Sequence, residues 1–457
     1  MTTFYCHSAY LASGWQDNVR ITVNELGTIT DIALAQSADV GDRHISQPVI
    51  PAIANCHSHA FQRAFAGLSE RSANANDSFW SWRQLMYQFL AHLSPHDCGV
   101  IARQLYVEML KAGYNAVGEF HYLHHDLSGK AYDNPTEMAD QVIQAASDVG
   151  IKMTMLPVFY QYAGFGKQQA SELQQRFIMQ PDDYLQMVEN LLSRKQAHQV
   201  NIGIAPHSLR AADISDINRF TKELNGIEHI HIHIAEQLPE VEQSLNYSGL
   251  RPVEYLYEHV AVDNRWSLIH ATHLQTNEIA AIRDSGAVIG ICPTTEASLG
   301  DGILGNDVFS GVPPIPWAIG SDSHISVNAA EELRWLEYTQ RLLTHRRVNI
   351  TNRQSNSNGN ALWDSAVMGG ARSIGHGGPI AVGSQADWCV LDESHSSLSS
   401  LPNAYLLDAL VFSNREGNAI TDVFINGQQV IAAGKHPQEE QILADFQQLM
   451  KRLSSVL

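Results

Sequence analysis

Residues 49–59 read Val-Ile-Pro-Ala-Ile-Ala-Asn-Cys-His-Ser-His. The run Val49–Ala54 is apolar without alternation, as expected of a strand covered on both faces. It ends on His57-x-His59, and side chains two apart on extended chain point the same way. Seven more apolar runs follow, at Asn115–His121, Ile151–Tyr160, Val200–Pro206, Ile227–Ala235, Trp266–Ala271, Ala287–Cys292 and Ile315–Ser321. Helical patterns separate most of them: Gly99–Lys111, Thr136–Val149, Asp182–Gln196, Ser215–Leu224, Pro252–Val260 and Thr276–Asp284. Thr136 suits an N-cap and Gly150 a stop. Ala330–Thr344 is expected to be the last long helix. Eight strand–helix units predict an α/β fold, a closed (β/α)8 TIM-like barrel, over an open doubly wound sheet.

The flanks read differently. Asn18–Val23 and Gly27–Ala35 are rich in Ile, Val and Thr, with a turn at Asn24-Glu25-Leu26-Gly27. Residues 351–360 are polar and aperiodic, and are expected to form a loop. Strand character returns at Ala386–Leu391, then at Ile420–Ile425 and Gln428–Ala433 around Asn426-Gly427, a strong hairpin signal. The economical solution is one small β-sandwich domain built from both chain termini (1–50 and 380–457) beside a barrel spanning 51–379.

Composition excludes several classes. The 457 residues are 44% hydrophobic, ample for a core. With 29 Lys and Arg against 48 Asp and Glu, the net charge is −19, which disfavours nucleic acid and anionic membrane as partners. No apolar run nears the ~18 residues of a membrane span, and Met1–Trp15 lacks a secretory pattern. The five cysteines are scattered without a CxxC pair, which points to free thiols in a reducing cytoplasm.

In a barrel of this kind the polar residues at the C-terminal strand ends form the site. Besides His57 and His59, those ends carry His229, His231, His233 and Glu236 on the fifth strand, His270 on the sixth and Asp322 on the eighth. Each alone reads as a hydrogen-bonded structural residue. Converging on one mouth, they have the signature of a metal site.

These motifs resemble the amidohydrolase superfamily. The resemblance runs from Pro51–His59 through His233-Ile-Ala-Glu236 and Gly320-Ser-Asp322 into Gly383–Asp392. The fourth strand, Val200–His207, has no lysine to bridge two metals. Together with His-x-x-Glu at the fifth strand, this resembles the mononuclear deaminase branch. The resemblance implies one divalent metal ion held by His57, His59, His233 and Asp322. Three histidines and an aspartate suit zinc, with iron(II) equal in ligand type. Glu236, His270 and Asp322 are then the catalytic groups: Asp322 takes a proton from water, His270 orients the hydroxide, and Glu236 protonates the leaving nitrogen.

Gln62, Arg83, Tyr122, His207 and Arg210 follow strands 1, 2 and 4. Arg83 falls in an aromatic-rich stretch read as a loop. Arginine binds carboxylate bidentately, so two of them at one mouth suit a small dicarboxylate. The set resembles the formimidoylglutamate deiminase family, which implies hydrolysis of N-formimidoyl-L-glutamate to N-formyl-L-glutamate and ammonia in histidine degradation. In that reading these five residues bind the glutamate portion. A homodimer is the expected assembly. A deaminase of a purine, pyrimidine or guanidino acid is the alternative within the branch, and an inactive binding scaffold is the alternative outside it. His121, His124 and His125 are read as structural or solvent-facing, and His324 as a mouth residue without a role.

Overall fold

The computed structural model describes residues 1–68, 70, 79–194, 199–351, 356–414 and 418–454. Five short strands open the chain: β1 (Thr2–Leu11), β2 (Gly14–Val23), β3 (Ile29–Ala33), β4 (Arg43–Ile45) and β5 (Val49–Pro51). The barrel follows as β6 (Ile53–Ser58), β7 (Tyr114–His121), β8 (Lys152–Phe159), β9 (Val200–Ile202) with β10 (Ala205–Pro206), β11 (Ile230–Ile234), β12 (Trp266–His270), β13 (Val288–Ile291) and β14 (Trp317–Ile319). The pairs β6–β7, β7–β8 and β8–β9 are parallel, as are β11–β12, β12–β13 and β13–β14. Two isolated parallel bridges join these halves: Ile204 with Ile230, and Ser58 with Asp322. The barrel is therefore closed, and the second bridge lies between the first and last strands at the level of the predicted ligands.

Every residue of β6, β7, β8, β11 and β12 is buried, which is why these strands carry no alternation. Helices cover the outside. One, α1 (Phe79–Leu90), occupies the stretch read as a loop, so Arg83 sits on a helix. The next, α2 (Pro95–Lys111), starts four residues earlier than its periodicity suggested. Ser94 and Asp97 form a reciprocal capping box there, and Pro95 needs no amide partner at the first turn.

Three sequence expectations need correction. Thr136 occupies the N-cap position of helix Glu137–Val149 but makes no side-chain cap. Its hydroxyl donates instead to Asn134 Oδ1 and Asp140 Oδ2 at 2.9 and 2.8 Å. The loop expected over 351–360 is cut short by a 17-residue helix, Asn358–Ile374, whose Ser357 accepts from Asn360 N; residues 352–355 lie outside the described ones. A Cβ on Gly369 would meet Trp317 O at 1.7 Å, and one on Gly370 would meet Ala54 O at 2.7 Å. The paired glycines let this helix lie directly on the strands, and they also dilute its apolar periodicity. Ala329–Thr344 is thus not the last long helix, since Glu439–Leu453 follows as well.

The remaining strands, β15 (Trp388–Leu391), β16 (Ile420–Ile425) and β17 (Gln428–Ile431), include the expected hairpin. They join the first five in one sheet of order β17-β16-β15-β5-β1-β2-β3, with β4 beside β1. The sheet folds over on itself: Thr28 bridges Gln385, and Ile29 N donates to Ser384 O at 2.8 Å. Phe4, Ile21, Val49, Trp388 and Phe424 fill the space between. Beneath the barrel, buried Lys152 reaches Asp387 Oδ2 at 2.6 Å, and Asn115 reaches the same oxygen at 2.7 Å. The last helix turns back to α2 through Arg452–Asp97 at 2.6 Å and Lys111–Glu439.

Candidate active site

The C-terminal ends of the strands build the site, and their backbone is strained there. Ala235, His270, Ala271, Asp322 and His324 all have positive φ, between 45° and 69°. Each non-glycine residue in that region costs on the order of 1 kcal/mol, and such strain concentrates where side chains must be aimed.

Four of the aimed atoms converge. His57 Nε2 lies 3.2 Å from His59 Nε2 and 3.0 Å from His233 Nε2. Asp322 Oδ1 lies 3.4 Å from the first and 3.2 Å from the second. Two nitrogens each about 2.0–2.1 Å from a shared ion at a tetrahedral angle stand about 3.3 Å apart. His57 Nε2 therefore stands at ligand spacing from each of the other three; the ligand atoms of His57, His59 and Asp322 lie within 4.8 Å of one another, as do those of His57, His233 and His270, and the donor types fit a divalent cation. Burial draws His57 down to about 3 and His233 well below its ordinary value, with neighbouring imidazoles adding to the effect. Neutral rings are the ligand-competent form. Burial pushes Asp322 up, yet the His57 and His59 rings beside it outweigh that and hold it well below the usual range. His59 Nδ1 donates to Phe120 O at 2.8 Å, which turns its Nε2 lone pair to the cluster.

Glu236 and His270 stand beside the ligands. Glu240, at the start of helix Leu238–Ser248, accepts from Glu236 N at 2.9 Å and Ala235 N at 3.2 Å, fixing the turn that presents Glu236. His270 Nε2 is 3.8 Å from Glu236 Oε1 and 3.9 Å from Asp322 Oδ2, and its Nδ1 is 3.2 Å from Glu296 Oε1. Burial alone would lower its pKa, but Glu236, Glu296 and Asp322 together raise it to about 10. Glu296 was missed in the sequence: it lies in helix Pro293–Leu299, distant in the chain from any motif.

A cavity opens over this cluster. Its lining includes all five residues singled out for substrate: Gln62, Arg83, Tyr122, His207 and Arg210. Gln62 Nε2 donates to Tyr122 OH at 2.9 Å, while its buried Oε1 has no hydrogen-bond partner among the described residues. The His207 ring packs against His233 at 4.9 Å, and the Arg83 guanidinium lies 5.5 Å from the Tyr87 ring centre. Trp82, Met86, Tyr87, Tyr160, Phe177 and Leu299 complete the wall. Tyr160 directly follows the third barrel strand, whereas the other five lie off the strands, where residue type marked them only as core.

Several histidines fall outside the cluster. His229 just precedes β11 and His231 lies deeper on it, His231 Nε2 donating to Ser373 O at 3.0 Å. His124 Nε2 donates to Val158 O at 2.8 Å, and neither His121 nor His124 lines the cavity. His324 does not line this cavity either; it sits behind the ligands, between Ser58 and Ser321.

A closed barrel with histidines and an aspartate gathered at its mouth fits a class, the metal-dependent hydrolases, and the chain belongs to the Amidohydrolase family, whose sequence model matches residues 49–430. Residues 1–46 match the model described as Formimidoylglutamate deiminase HutF, N-terminal domain. Over 455 residues the chain is 44% identical to the formimidoylglutamate deiminase of Pseudomonas aeruginosa, covering 99% of this chain and 100% of that one. It is 27% identical to the 8-oxoguanine deaminase of the same organism, over 79% of this chain and 78% of the other. Among solved structures, an amidohydrolase from Brucella melitensis superposes with a TM-score of 0.92 at 38% identity, covering 99% and 100% of the two chains. A zinc-bound adenosine deaminase from Xanthomonas campestris superposes at 0.81 with 18% identity, covering 99% and 98%, a likeness of fold.

Proposed function

We infer that this chain hydrolyses N-formimidoyl-L-glutamate to N-formyl-L-glutamate and ammonia. The carrying observation is that Arg83 and Arg210 share one cavity with Glu236 and with His59, His233 and Asp322 of the cluster. Full-length identity of 44% to a formimidoylglutamate deiminase supports the same reading. Charge is local here: the chain carries −19 overall, yet two guanidiniums face the cavity. Salt screens the far field within about 8–10 Å, so a small dianion is recognised by the pocket and not by the shell.

His57, His59, His233 and Asp322 would hold the divalent ion, zinc or iron(II) by donor type, with zinc the working choice. When bound, such an ion supplies Lewis acidity, enough to make water a nucleophile near neutral pH. The chain's own groups do the rest. Arg83 and Arg210 take the two carboxylates, and Gln62 and Tyr122 supply amide and hydroxyl contacts. His207, held neutral by burial and by Arg210, presents a ring nitrogen without adding charge. Asp322 accepts a proton from water as the oxygen bonds to the formimidoyl carbon. His270, bracketed by Glu236 and Asp322, lies between the two carboxylates that handle protons. Glu236 delivers a proton to the departing nitrogen, so that ammonia leaves as the carbon–nitrogen bond breaks and the carbonyl forms.

The same reading has a cytoplasmic enzyme working as a homodimer. All five cysteines are buried and free, which suits a reducing compartment, and sedimentation equilibrium tests the assembly. The deciding experiment measures ammonia release from the metal-loaded protein with N-formimidoyl-glutamate, formimidoyl-aspartate, guanidino acids and nucleobases. Turnover confined to the first substrate is expected. Faster turnover of a nucleobase would remove the dicarboxylate reading.

A further inference from the structure

Ser58 stands between two ligands, and strand periodicity sends its side chain to the opposite face from theirs. Its hydroxyl lies 2.7 Å from Glu119 Oε2. The other oxygen of Glu119 accepts from Ala60 N at 2.7 Å. One carboxylate on β7 therefore grips the chain on both sides of His59. Tyr106 of α2 donates to Glu119 Oε2 at 3.0 Å, tying the carboxylate to the helix layer. The next residue after Glu119 is Phe120, whose carbonyl receives His59 Nδ1.

A second arm leads from Ser58 to Asp322. His324 Nε2 is 3.3 Å from Ser58 Oγ, and its Nδ1 is 3.0 Å from Ser321 Oγ. Asn55 Nδ2 donates to Ser321 Oγ at 2.7 Å, while Asn55 Oδ1 accepts from Ser321 N at 3.1 Å and His57 N at 3.3 Å. The protons fit one consistent direction, from Asn55 through Ser321 to His324 Nδ1, and from His324 Nε2 through Ser58 to Glu119. All these side chains are buried, with Glu119, Ser58, Asn55 and Ser321 fully inaccessible. Among the described residues no Lys or Arg hydrogen-bonds Glu119, so a fully buried acid here is an expensive choice for mere support.

We propose that Glu119 is a positioning residue for the metal centre, acting through Ser58 and Ala60 on His59, with His324 linking the same network to Asp322. The proposal rests on the ligand assignment above. It also gives His324 its role, holding the first and last barrel strands in register where their ligands meet. The cradle does not depend on the protonation of Glu119: Oε1 keeps the Ala60 amide, and the hydroxyls of Ser58 and Tyr106 can reverse.

The test is zinc dissociation from the purified full-length protein, followed by chelator competition, alongside the thermal midpoint of the metal-free form. Replacing a group that orients a ligand typically weakens metal binding about 10–100-fold. E119L is expected to lose zinc affinity in that range, and E119Q, which keeps an oxygen for Ala60, to recover much of it. S58A, a smaller change that leaves the fold intact, is expected to speed zinc loss in the same direction. Its effect should be less than additive with that of E119L, because both cut one path. Variants that lower only the metal-free midpoint, with zinc affinity within twofold of the parent, would overturn the proposal. D322N separates the two layers of inference: if it too keeps zinc at parental affinity, the ligand assignment itself is wrong; if it alone loses zinc, the positioning role is wrong.

Discussion

His233 Nε2 lies 3.0 Å from His57 Nε2, although burial keeps both rings neutral. Two such nitrogens share at most one hydrogen bond, and His59 and Asp322 crowd the same point. A cation held as proposed would relieve this crowding. Metal removal should therefore lower the thermal midpoint, and added zinc should restore it. A ligand at a thousand times its dissociation constant contributes about 4 kcal/mol to stability. A midpoint that is indifferent to chelator and zinc would contradict the site.

In the proposed mechanism Glu236 delivers a proton and is not a metal ligand. Glu236→Gln should keep one equivalent of metal while kcat falls by about 10²–10⁴, the usual worth of a general acid or base. Metal analysis and ammonia release on the same preparation check both halves.

Arg210 is half-buried in the cavity wall. Arg210→Met would leave a substrate carboxylate desolvated and unpaired, with an expected loss of about 2–4 kcal/mol in kcat/KM. Steady-state kinetics with N-formimidoyl-glutamate measure it, and an unchanged rate would remove Arg210 from the substrate site.

Asp97 links α2 to the last helix through Arg452. Burial raises its pKa, but hydrogen bonds from Ser94 N–H and hydroxyl and from Arg452 outweigh that and leave it lowered. A depressed folded pKa means stability that is present above the unfolded value near 3.9 and lost as pH falls through the folded one. The difference in urea stability between the parent and Asp97→Asn should accordingly be full at pH 6 and shrink below pH 4. A difference that grew on acidification would reverse the assignment.

Lys152 and Asp387 are both buried and pair at 2.6 Å beneath the barrel. Lys152→Met strands a carboxylate that Asn115 and the Asn426 amide only partly satisfy. A loss of about 3–5 kcal/mol in unfolding free energy is expected by denaturant titration, with KM unchanged because the pair lies at the opposite end of the barrel from the site.

Much of this protein is legible from local chemistry. Apolar runs without alternation mark buried parallel strands, and the order of strands and helices leaves few topologies open. The His57-x-His59 pair, His233-x-x-Glu236 and Asp322 stand at strand ends, where a barrel puts its function. Asn426-Gly427 specifies its hairpin by backbone conformation alone, with φ of 52° and 72°. Such features depend on neighbours in the chain, so the sequence by itself determined them.

Other features needed the closed barrel. The helix Asn358–Ile374 opens in polar residues and carries Gly369-Gly370, poor helix formers that packing against Trp317 and Ala54 rewards. Arg83 rides on α1, not on a loop, and Tyr160, Phe177 and Glu296 enter the site from segments with no motif. Glu119 reads in sequence as one more acid of 48 Asp and Glu; only the pairing of β7 beside β6 brings it under Ser58 and Ala60. The physical reason is the same in each case. Periodicity and residue type report which face a side chain takes on its own element, whereas hydrogen bonds and cavity walls are made between elements, and only barrel closure decides which elements meet.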